Sequence, residues 1–432
     1  MPTDIDKAER NKMNRPDTFN RDEGPSKPSR RKLLKNVGAL ALTYAAGERA
    51  LARASGAGRG RLLGHVGTYN TPVDGGAGNG KGIYLFEMNA ATGELTLLKL
   101  AAAARNPSWL CLDPSGRHLY SGNEIFDYNG NSGSVTAYGV NRLTGDLQLL
   151  NVVSSEGTGP AYLSVRPSGK YLLVADYFGG SIAVLPVLST GALGSAVYTH
   201  RDADPVGKTV PSTGPGGSFA FSGHDKPHAH MIDSDPSGRF VLYTDLGQDR
   251  IYLHRFDEAT GKLTPVQGSP YVSLPGGDGP RHLVFHGNGK WLYSLQEEAS
   301  TVVFFLFDPE TGALRPQQTI STLPPGFKGT NFTSEILISN DGRFMYTANR
   351  LHDTIAVFAI RRDGRLSYQG ETSTMGDYPR HLRIDPTGTF LYSCNQRSDN
   401  IACFRINRTT GLLSFTGQYT GVGSPACIVF LK

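Results

Sequence analysis

Seven copies of one short turn motif recur along this chain and constrain its fold more than any other feature. Each copy is a Thr-Gly or Asp-Gly pair with Leu two residues after the glycine. The seven glycines are Gly93, Gly145, Gly191, Gly261, Gly312, Gly364 and Gly411. They stand roughly 50 residues apart, with one longer gap before Gly261, and such a period is typical of repeat architectures. Each glycine is expected to adopt φ > 0 in a hairpin turn between two short strands.

A second turn motif keeps the same period. It reads Pro-Ser-Gly or a close variant, in which proline presets φ and glycine closes the turn. Its six glycines are Gly116, Gly169, Gly238, Gly289, Gly342 and Gly388. Strand-like segments flank each copy, such as 162–165 and 171–175, and a third follows, such as 181–185. With the strand after the Thr-Gly turn, each repeat holds four strands, which is the pattern of a β-propeller blade.

The motif counts differ by one because the chain starts and ends inside a blade. Residues 63–69 resemble a second strand and residues 425–430 a first strand. The sequence therefore predicts an all-β, seven-bladed propeller over 61–432, with four antiparallel strands per blade. Pairing of the C-terminal strand with the N-terminal blade would close it and remove exposed sheet edges. The Gly/Pro/Ser-rich stretch 200–226 is expected to interrupt one blade.

Residues 1–54 have a different character. Residues 1–28 are polar and of mixed charge, which predicts disorder. Arg30-Arg31 precedes a short apolar run at 37–46, and Ala52-Arg53-Ala54 matches an A-x-A cleavage pattern. These features predict a twin-arginine export signal and a periplasmic or secreted protein. Cleavage after Ala54 is left open.

Net charge, metal-binding motifs and cysteines indicate which binding partners, metals and disulfides to expect. The net charge of +5 comes from residues 1–54, because the remainder carries equal numbers of acidic and basic residues. We therefore expect no nucleic-acid partner, no membrane association beyond export, and a monomer. The sequence lacks Cys-x-x-Cys, His-Glu-x-x-His and Asp-rich calcium loops, so no metal or cofactor is predicted. Cys394 and Cys403 could form a disulfide or stay free thiols.

The repeat register locates a candidate site. Each first strand starts just after a proline or its equivalent, and the second strand returns antiparallel to the same rim. The residues at the first-strand position are Ser108, Ala161, His228, Arg281, Ser334, Arg380 and Ala426. The second strands end at Asn123, Asp176, Asp245, Gln296, Asn349 and Asn395, and are followed by Glu124, Tyr177, Leu246, Glu297, Arg350 and Gln396.

This register gathers charged residues from distant parts of the sequence at one mouth of the central channel. The candidate catalytic residues are His228, Glu297, Arg281 and Arg350. The candidate substrate-binding residues are His230, Arg380, Glu124 and Asn349. His230 lies two residues beyond His228, on the same side of its strand. The alternative interpretation is a ring of ion pairs between blades.

The residue types indicate hydrolytic or proton-transfer chemistry. Histidine or glutamate can accept a proton from water near neutral pH, and arginine can hold an anion or stabilise an oxyanion. Ester or lactone hydrolysis fits this set, and so does lactone formation. A serine nucleophile has no support, since no Gly-x-Ser-x-Gly elbow occurs.

Several motifs resemble the bacterial 6-phosphogluconolactonase-like lactonase family, a group of seven-bladed propellers related to fungal carboxymuconate-lactonizing enzymes. They are Val66-Gly67-Thr68-Tyr69, Lys81-Gly82-Ile83-Tyr84, Pro227-His228-Ala229-His230, Gly279-Pro280-Arg281-His282-Leu283 and Ala348-Asn349-Arg350. The resemblance spans residues 61–432. It implies a metal-independent lactonase whose site uses His228, Arg281, Arg350 and Glu297.

Some residues depart from the family pattern. Asp176 and Asp245 stand where relatives often carry Asn. Glu298 directly follows Glu297, so either of the two could supply the site carboxylate. The export signal favours an unphosphorylated aldonolactone over 6-phosphogluconolactone, which is made in the cytoplasm. Two alternatives stay open: a non-catalytic envelope propeller that binds a small anion or a protein, and a carboxymuconate cyclase.

Overall fold

The computed structural model describes residues 62–203, 205–220 and 223–431. Within them lie seven antiparallel sheets and no helix. The innermost strands of blades 1 to 7 are β29 (Pro425–Phe430), β4 (Pro107–Leu112), β8 (Pro160–Val165), β12 (Ala229–Ser234), β17 (Pro280–Phe285), β21 (Thr333–Ile338) and β25 (Pro379–Ile384). Each contacts the innermost strands of both neighbouring blades, so the seven form a closed ring.

The other strands follow outwards in the same blade order. The second strands are β1 (Leu62–Thr68), β5 (His118–Tyr128), β9 (Tyr171–Asp176), β13 (Phe240–Asp245), β18 (Trp291–Gln296), β22 (Phe344–Asn349) and β26 (Phe390–Asn395). The third strands are β2 (Ile83–Met88), β6 (Ser132–Val140), β10 (Ser181–Pro186), β14 (Arg250–Phe256), β19 (Thr301–Phe307), β23 (Thr354–Ile360) and β27 (Asn400–Ile406).

The outer strands are β3 (Leu95–Ala102), β7 (Leu147–Ser154), β11 (Tyr198–Arg201), β15 (Leu263–Pro265) with β16 (Tyr271–Ser273), β20 (Leu314–Ser321), β24 (Leu366–Ser373) and β28 (Leu413–Gly421). Blade 4 has two short outer strands, because β15 and β16 both pair with β14. The predicted seven-bladed propeller with four antiparallel strands per blade is confirmed in the other six sheets and extended in this one.

The chain closes as predicted. β29 pairs antiparallel with β1, with Val66 opposite Ile428, so the C-terminal strand completes the N-terminal blade. Without this pairing the inner edge of β1 would have no partner strand, and an unpaired edge can associate with other chains.

The prediction that 200–226 interrupts a blade is wrong. β11 pairs with β10 from Ser181–Arg201 to Val184–Tyr198, so blade 3 is complete before the long segment begins. The segment then leads to β12, the first strand of blade 4. An insertion between blades breaks no ladder of hydrogen bonds, whereas one inside a blade would leave backbone groups unpaired.

Turn glycines connect neighbouring blades. All thirteen motif glycines have φ > 0, as expected, for example Gly93 at 81° and Gly312 at 82°. The carbonyl of a Thr-Gly turn often accepts a hydrogen bond from a tyrosine in the second strand of the preceding blade. Four such bonds occur: Tyr120 to Gly191, Tyr293 to Gly364, Tyr346 to Gly411 and Tyr392 to Gly93. At a fifth interface His65 contacts Gly145 in the same way.

The four cysteines are free thiols. Cys394 lies opposite Ile401 and Cys403 opposite Tyr392, so the two are offset along the β26–β27 pair instead of facing each other. The proposed signal in 1–54 lies outside the described residues. Among the described residues, no helix is long and apolar enough to cross a membrane.

Candidate functional site

A β-bulge at the start of the innermost strand turns one side chain towards the channel mouth. The bulge occurs in β4, β8, β12, β17, β21 and β25. Bulges redirect side chains and are common beside functional sites. In β12, β17 and β25 the bulged residues are His230, Arg281 and Arg380.

The predicted register is wrong by two residues in blade 4. Ala229 pairs with Asp245 as Pro280 pairs with Gln296, so His230 occupies the position of Arg281. The prediction placed His228 there because Pro227 was taken as the equivalent of Pro280. The signal was in the sequence, since the Pro-Ser-Gly turn lies two residues farther from the proline in this blade than in its neighbours.

The residue after each second strand is held at the same rim by its own N–H. Glu297 N donates to Gly279 O at 2.7 Å, and Arg350 N donates to Phe332 O at 2.8 Å. Glu124, Tyr177 and Leu246 repeat this bond. The bulged residues His230 and Arg380 and four of these rim residues line a cavity of about 150 Å³, whereas Arg281 lies outside its lining. Its charged and histidine lining is Asp74, Glu124, His230, Glu297, Arg350 and Arg380.

Glu297 joins two arginines. Its Oε2 lies 2.8 Å from Arg281 Nε, and its Oε1 contacts Arg350 Nη2. Arg350 also donates to Thr333 O at 3.0 Å. Burial lowers the pKa of Arg281 to about 10. Burial also acts to lower the pKa of Arg350, but the Glu297 carboxylate outweighs it and the pKa is raised. Both guanidinium groups are therefore charged at neutral pH.

Arg380 is held by a second set of carboxylates. Its Nη1 lies 3.1 Å from Asp74 Oδ2 and its Nη2 lies 3.4 Å from Glu124 Oε2. Tyr69 Oη donates to the same Glu124 oxygen at 2.6 Å. The charges at this mouth are balanced, because Asp74, Glu124 and Glu297 match the three arginines.

His230 has no hydrogen-bond partner within the described part of the chain, and its buried Nδ1 is unsatisfied. Its ring lies edge-on to Tyr177 and to His282, with centroid distances of 5.2 Å in both cases. Burial lowers the pKa of His230 well below its usual value, and the positive charge of Arg281 lowers it further. The ring is thus neutral at pH 7 and keeps a free nitrogen lone pair.

His228 is placed differently. It lies outside the cavity lining, and its Nδ1 and Nε2 lie 3.0 Å from Tyr177 O and 2.6 Å from Asp225 Oδ1. Its ring stacks on Tyr177 with centroids 4.2 Å apart. Both nitrogens are occupied, so water has no free nitrogen to approach.

Two further candidates, Asn349 and Glu298, do not line the cavity. Asn349 is fully buried, and its amide bonds to Thr322 and Asn331 of the connection between blades 5 and 6 and to Thr354 of β23. Glu298 is buried behind the rim, where burial and then Glu297 raise its pKa well above the usual value. The carboxylate that lines the cavity is therefore that of Glu297.

Three polar lining residues were not selected from the sequence. Tyr177 follows a second strand, as Glu297 does, so register alone could have indicated it. Tyr378 precedes Pro379 and lies 3.4 Å from Arg350 Nη1. Asp74 lies in the connection after β1, where no repeat signal operates.

Comparisons with known proteins agree with this architecture. A family model described as "Lactonase, 7-bladed beta-propeller" matches residues 64–430. The 6-phosphogluconolactonase of Bacillus subtilis (strain 168) is 33% identical over 372 residues, which cover 86% of this chain and 99% of that protein. The 6-phosphogluconolactonase of Formosa agariphila is 31% identical over 312 residues, covering 71% of this chain and 83% of that protein.

A solved structure is similar throughout the propeller. The periplasmic gluconolactonase PpgL of Pseudomonas aeruginosa is 29% identical, with a TM-score of 0.76 over 86% of this chain and 99% of that one. The family match and the near-complete coverage of the Bacillus relative decide the assignment. The chain belongs to the lactonase family of seven-bladed β-propellers.

Proposed function

We propose that this protein hydrolyses a sugar-type lactone in the cavity that His230, Arg350 and Arg380 line. The observation that carries the proposal is a neutral, unpartnered imidazole beside two charged guanidinium groups in one small cavity. The relatives named as 6-phosphogluconolactonases and a gluconolactonase support lactone hydrolysis as the reaction class.

The proposed reaction needs one proton acceptor and one anion stabiliser. His230 accepts a proton from a water molecule as its oxygen attacks the lactone carbonyl carbon. Arg350 and Arg380 stabilise the negative charge that develops on the carbonyl oxygen. The ring C–O bond then breaks, and the His230 imidazolium returns its proton to the departing alkoxide. The product is the open hydroxy acid, and no metal is required for any step.

Glu297 acts in this proposal as a positioning residue. Its two carboxylate oxygens contact Arg281 and Arg350, one each, so the side chain is committed to holding these two guanidinium groups. It orients Arg350 towards the cavity and anchors Arg281 beside His230. This assignment replaces the expectation that Glu297 or His228 activates water.

The charge balance favours a neutral substrate. Each guanidinium group at this mouth is paired with a carboxylate, so the mouth has no excess positive charge to balance the permanent double negative charge of a phosphate ester. A cavity of about 150 Å³ is also smaller than typical drug-sized sites of roughly 300–1,000 Å³. An unphosphorylated aldonolactone therefore fits better than its 6-phosphate.

A matched pair of histidine variants tests the proposal. Acid release from glucono-1,5-lactone would be followed in a pH-stat at mildly acidic pH, where spontaneous hydrolysis is slow. We expect His230→Gln to lower kcat at least 100-fold, since general-base catalysis contributes roughly 10²–10⁴-fold. His228→Gln should change kcat by only a few fold.

Each outcome of this experiment is informative. Loss of activity in His228→Gln with little change in His230→Gln would overturn the assignment of the base. Acid release no faster than buffer in the wild-type protein would overturn the lactonase proposal for this substrate and favour a ligand-binding propeller. Circular dichroism of each variant would exclude unfolding as the cause.

We also propose that the protein is exported through the twin-arginine signal at Arg30-Arg31. The periplasmic location of the Pseudomonas relative supports this. Replacement of both arginines with lysine should retain the protein in the cytoplasm, as measured by cell fractionation. Unchanged periplasmic recovery of the double variant would contradict the proposal.

A further inference from the structure

A second cavity opens at the opposite end of the central channel. Its volume is about 410 Å³, and Pro167 and Pro236 of the Pro-Ser-Gly turns border it, which places it on the face away from the proposed catalytic cavity. His282, Glu335 and His381 also line it. They form its roof: Glu335 Oε1 lies 3.1 Å from His282 Nδ1 and Oε2 lies 3.5 Å from His381 Nε2.

Arg383 projects into this cavity without a partner. It is half-buried and makes no hydrogen bond or ion pair with any residue that the structure describes. The other buried or half-buried arginines in the described ranges all make a hydrogen bond or an ion pair. They are Arg166, Arg250, Arg281, Arg350, Arg365, Arg380 and Arg397. Removing a charge from water without a partner is costly, so Arg383 is suited to an external anion.

Asp233 faces the same cavity from a distant blade. It lies on β12 of blade 4 and Arg383 on β25 of blade 7, and both occupy the position two residues before the turn. The same position in the other five blades holds Cys111, Ser164, Val284, Leu337 and Val429. Asp233 Oδ1 accepts the Ser234 N–H at 2.7 Å, and no ion pair joins Asp233 to Arg383. One acidic and one basic side chain thus face this end of the channel without forming an ion pair with each other.

An aromatic surface completes the wall. The rings of Trp109 and Tyr162 lie against each other with centroids 4.2 Å apart, and both residues line the cavity and the adjoining space beneath it. Aromatic rings of this kind pack against the C–H groups of small polar molecules while leaving their polar groups free to hydrogen-bond. Arg383 and Asp233 would supply those hydrogen bonds.

We propose that this cavity is a second ligand site, for a small organic carboxylate with hydroxyl donors at its far end, as in sugar acids. The carboxylate would pair with Arg383, the hydroxyl groups would donate to Asp233, and the carbon chain would pack on Trp109. The site lies at the other end of the channel from the proposed catalytic cavity. It does not depend on the lactonase reaction.

Calorimetric titration of the full chain tests the site with D-gluconate as the probe. D-glucose has the donors without the carboxylate, and propionate has the carboxylate without the donors. We expect both to bind at least tenfold more weakly than gluconate. Arg383→Gln should remove one equivalent of bound gluconate per chain, and Asp233→Asn should weaken gluconate at least fivefold while leaving propionate unchanged.

The catalytic-cavity variant Arg350→Gln serves as the matched control and should keep this equivalent. Loss of gluconate only in Arg350→Gln, unaltered binding in Arg383→Gln, or no binding to the wild-type protein would each overturn the second site. Lactone hydrolysis by Arg383→Gln should match the wild type, so failure here is separable from failure of the proposed reaction.

Discussion

At the residue scale, the site depends on which polar side chains have no hydrogen-bond or ion-pair partner among the described residues. His228 and His230 are two residues apart and chemically identical, yet one has both nitrogens bonded and the other neither. Similarly, Arg350 and Arg383 both line cavities, but only Arg350 has a carboxylate beside it. Residue type predicted the chemistry of the mouth. The availability of each group for a ligand follows from its neighbours.

Asp245 should make stability fall as the pH rises. Burial, then the nearby Asp202 carboxylate, raises its pKa from 3.8 to about 7. Between these values the unfolded chain releases the proton that the folded protein keeps, so the free energy of unfolding decreases with pH. Asparagine has no proton to release and occupies this position in three other blades, at Asn123, Asn349 and Asn395. We expect Asp245→Asn to raise the free energy of unfolding by about 2–4 kcal/mol at pH 8.

Urea unfolding at pH 4 and pH 8 measures this effect. The gain should fall below about 1 kcal/mol at pH 4, which is close to the ordinary Asp pKa of 3.8, because keeping the folded carboxyl protonated then costs little. An equal gain at both pH values would show that the substitution acts through packing instead of titration.

Glu297 should be important for stability as well as for activity. Glu297→Gln leaves Arg281 and Arg350 as buried cations without their carboxylate, and breaking a buried pair costs about 3–5 kcal/mol. Asp74→Asn is the matched control, because Asp74 is 40% exposed and its pair with Arg380 is worth less than about 1 kcal/mol. Urea unfolding of both variants at pH 7 checks the difference. Equal losses would contradict the proposed role of Glu297.

At the element scale, the blades are joined by a repeated hydrogen bond as well as by apolar packing. A tyrosine four residues after the Pro-Ser-Gly glycine reaches the Thr-Gly turn of the next blade at four interfaces. The two turn motifs of the sequence therefore act together, one placing the donor and the other the acceptor. In blades 3 and 4 the equivalent residues are Leu173 and Leu242, and these interfaces rely on packing.

Tyr346→Phe should lower stability by about 1–3 kcal/mol, because it leaves the buried Gly411 carbonyl without its donor. Tyr128→Phe removes a comparable bond to Val152 O at an exposed position and should cost less than about 0.5 kcal/mol. Equilibrium unfolding in urea measures both. A Tyr346→Phe variant as stable as Tyr128→Phe would show that the interface bond contributes little.

At the scale of the whole molecule, closure of the ring joins residues that are more than 300 apart in sequence. β29 completes blade 1 and also contacts β25 and β4, so it links the last blade to the first two. The channel formed by this closure has two ends with different chemistry. One mouth is rich in paired charges, and the other carries one unpaired arginine beside aromatic rings.

Truncation before Pro425 should therefore abolish the soluble folded protein, because it leaves β1 as an unpaired innermost edge. Removal of Lys432 alone is the control and should have no effect. Size-exclusion chromatography with light scattering distinguishes a folded species from aggregate. A monodisperse, folded truncation product would contradict the proposed importance of closure.

The number of blades, their strands and the way they close can all be predicted from the repeated turn motifs. These features follow from local turn chemistry repeated at a fixed period, and local chemistry can be read residue by residue. The sequence also indicated that Glu124, Arg281, Glu297, Arg350 and Arg380 share one mouth, since the register carries this information. The blade order and the rim were thus predictable without coordinates.

Which of these groups is free to bind a ligand depends on contacts made in the folded chain. The two-residue offset of His228 and His230, the burial of Asn349 and the pairing of Glu297 with two arginines depend on contacts between separate strands and loops of the folded chain. The long segment after β11 lies between blades 3 and 4 because the pairing of blade 3 is already complete at Arg201. Hydrogen-bond saturation and burial are properties of the packed molecule, and a repeat pattern does not encode them.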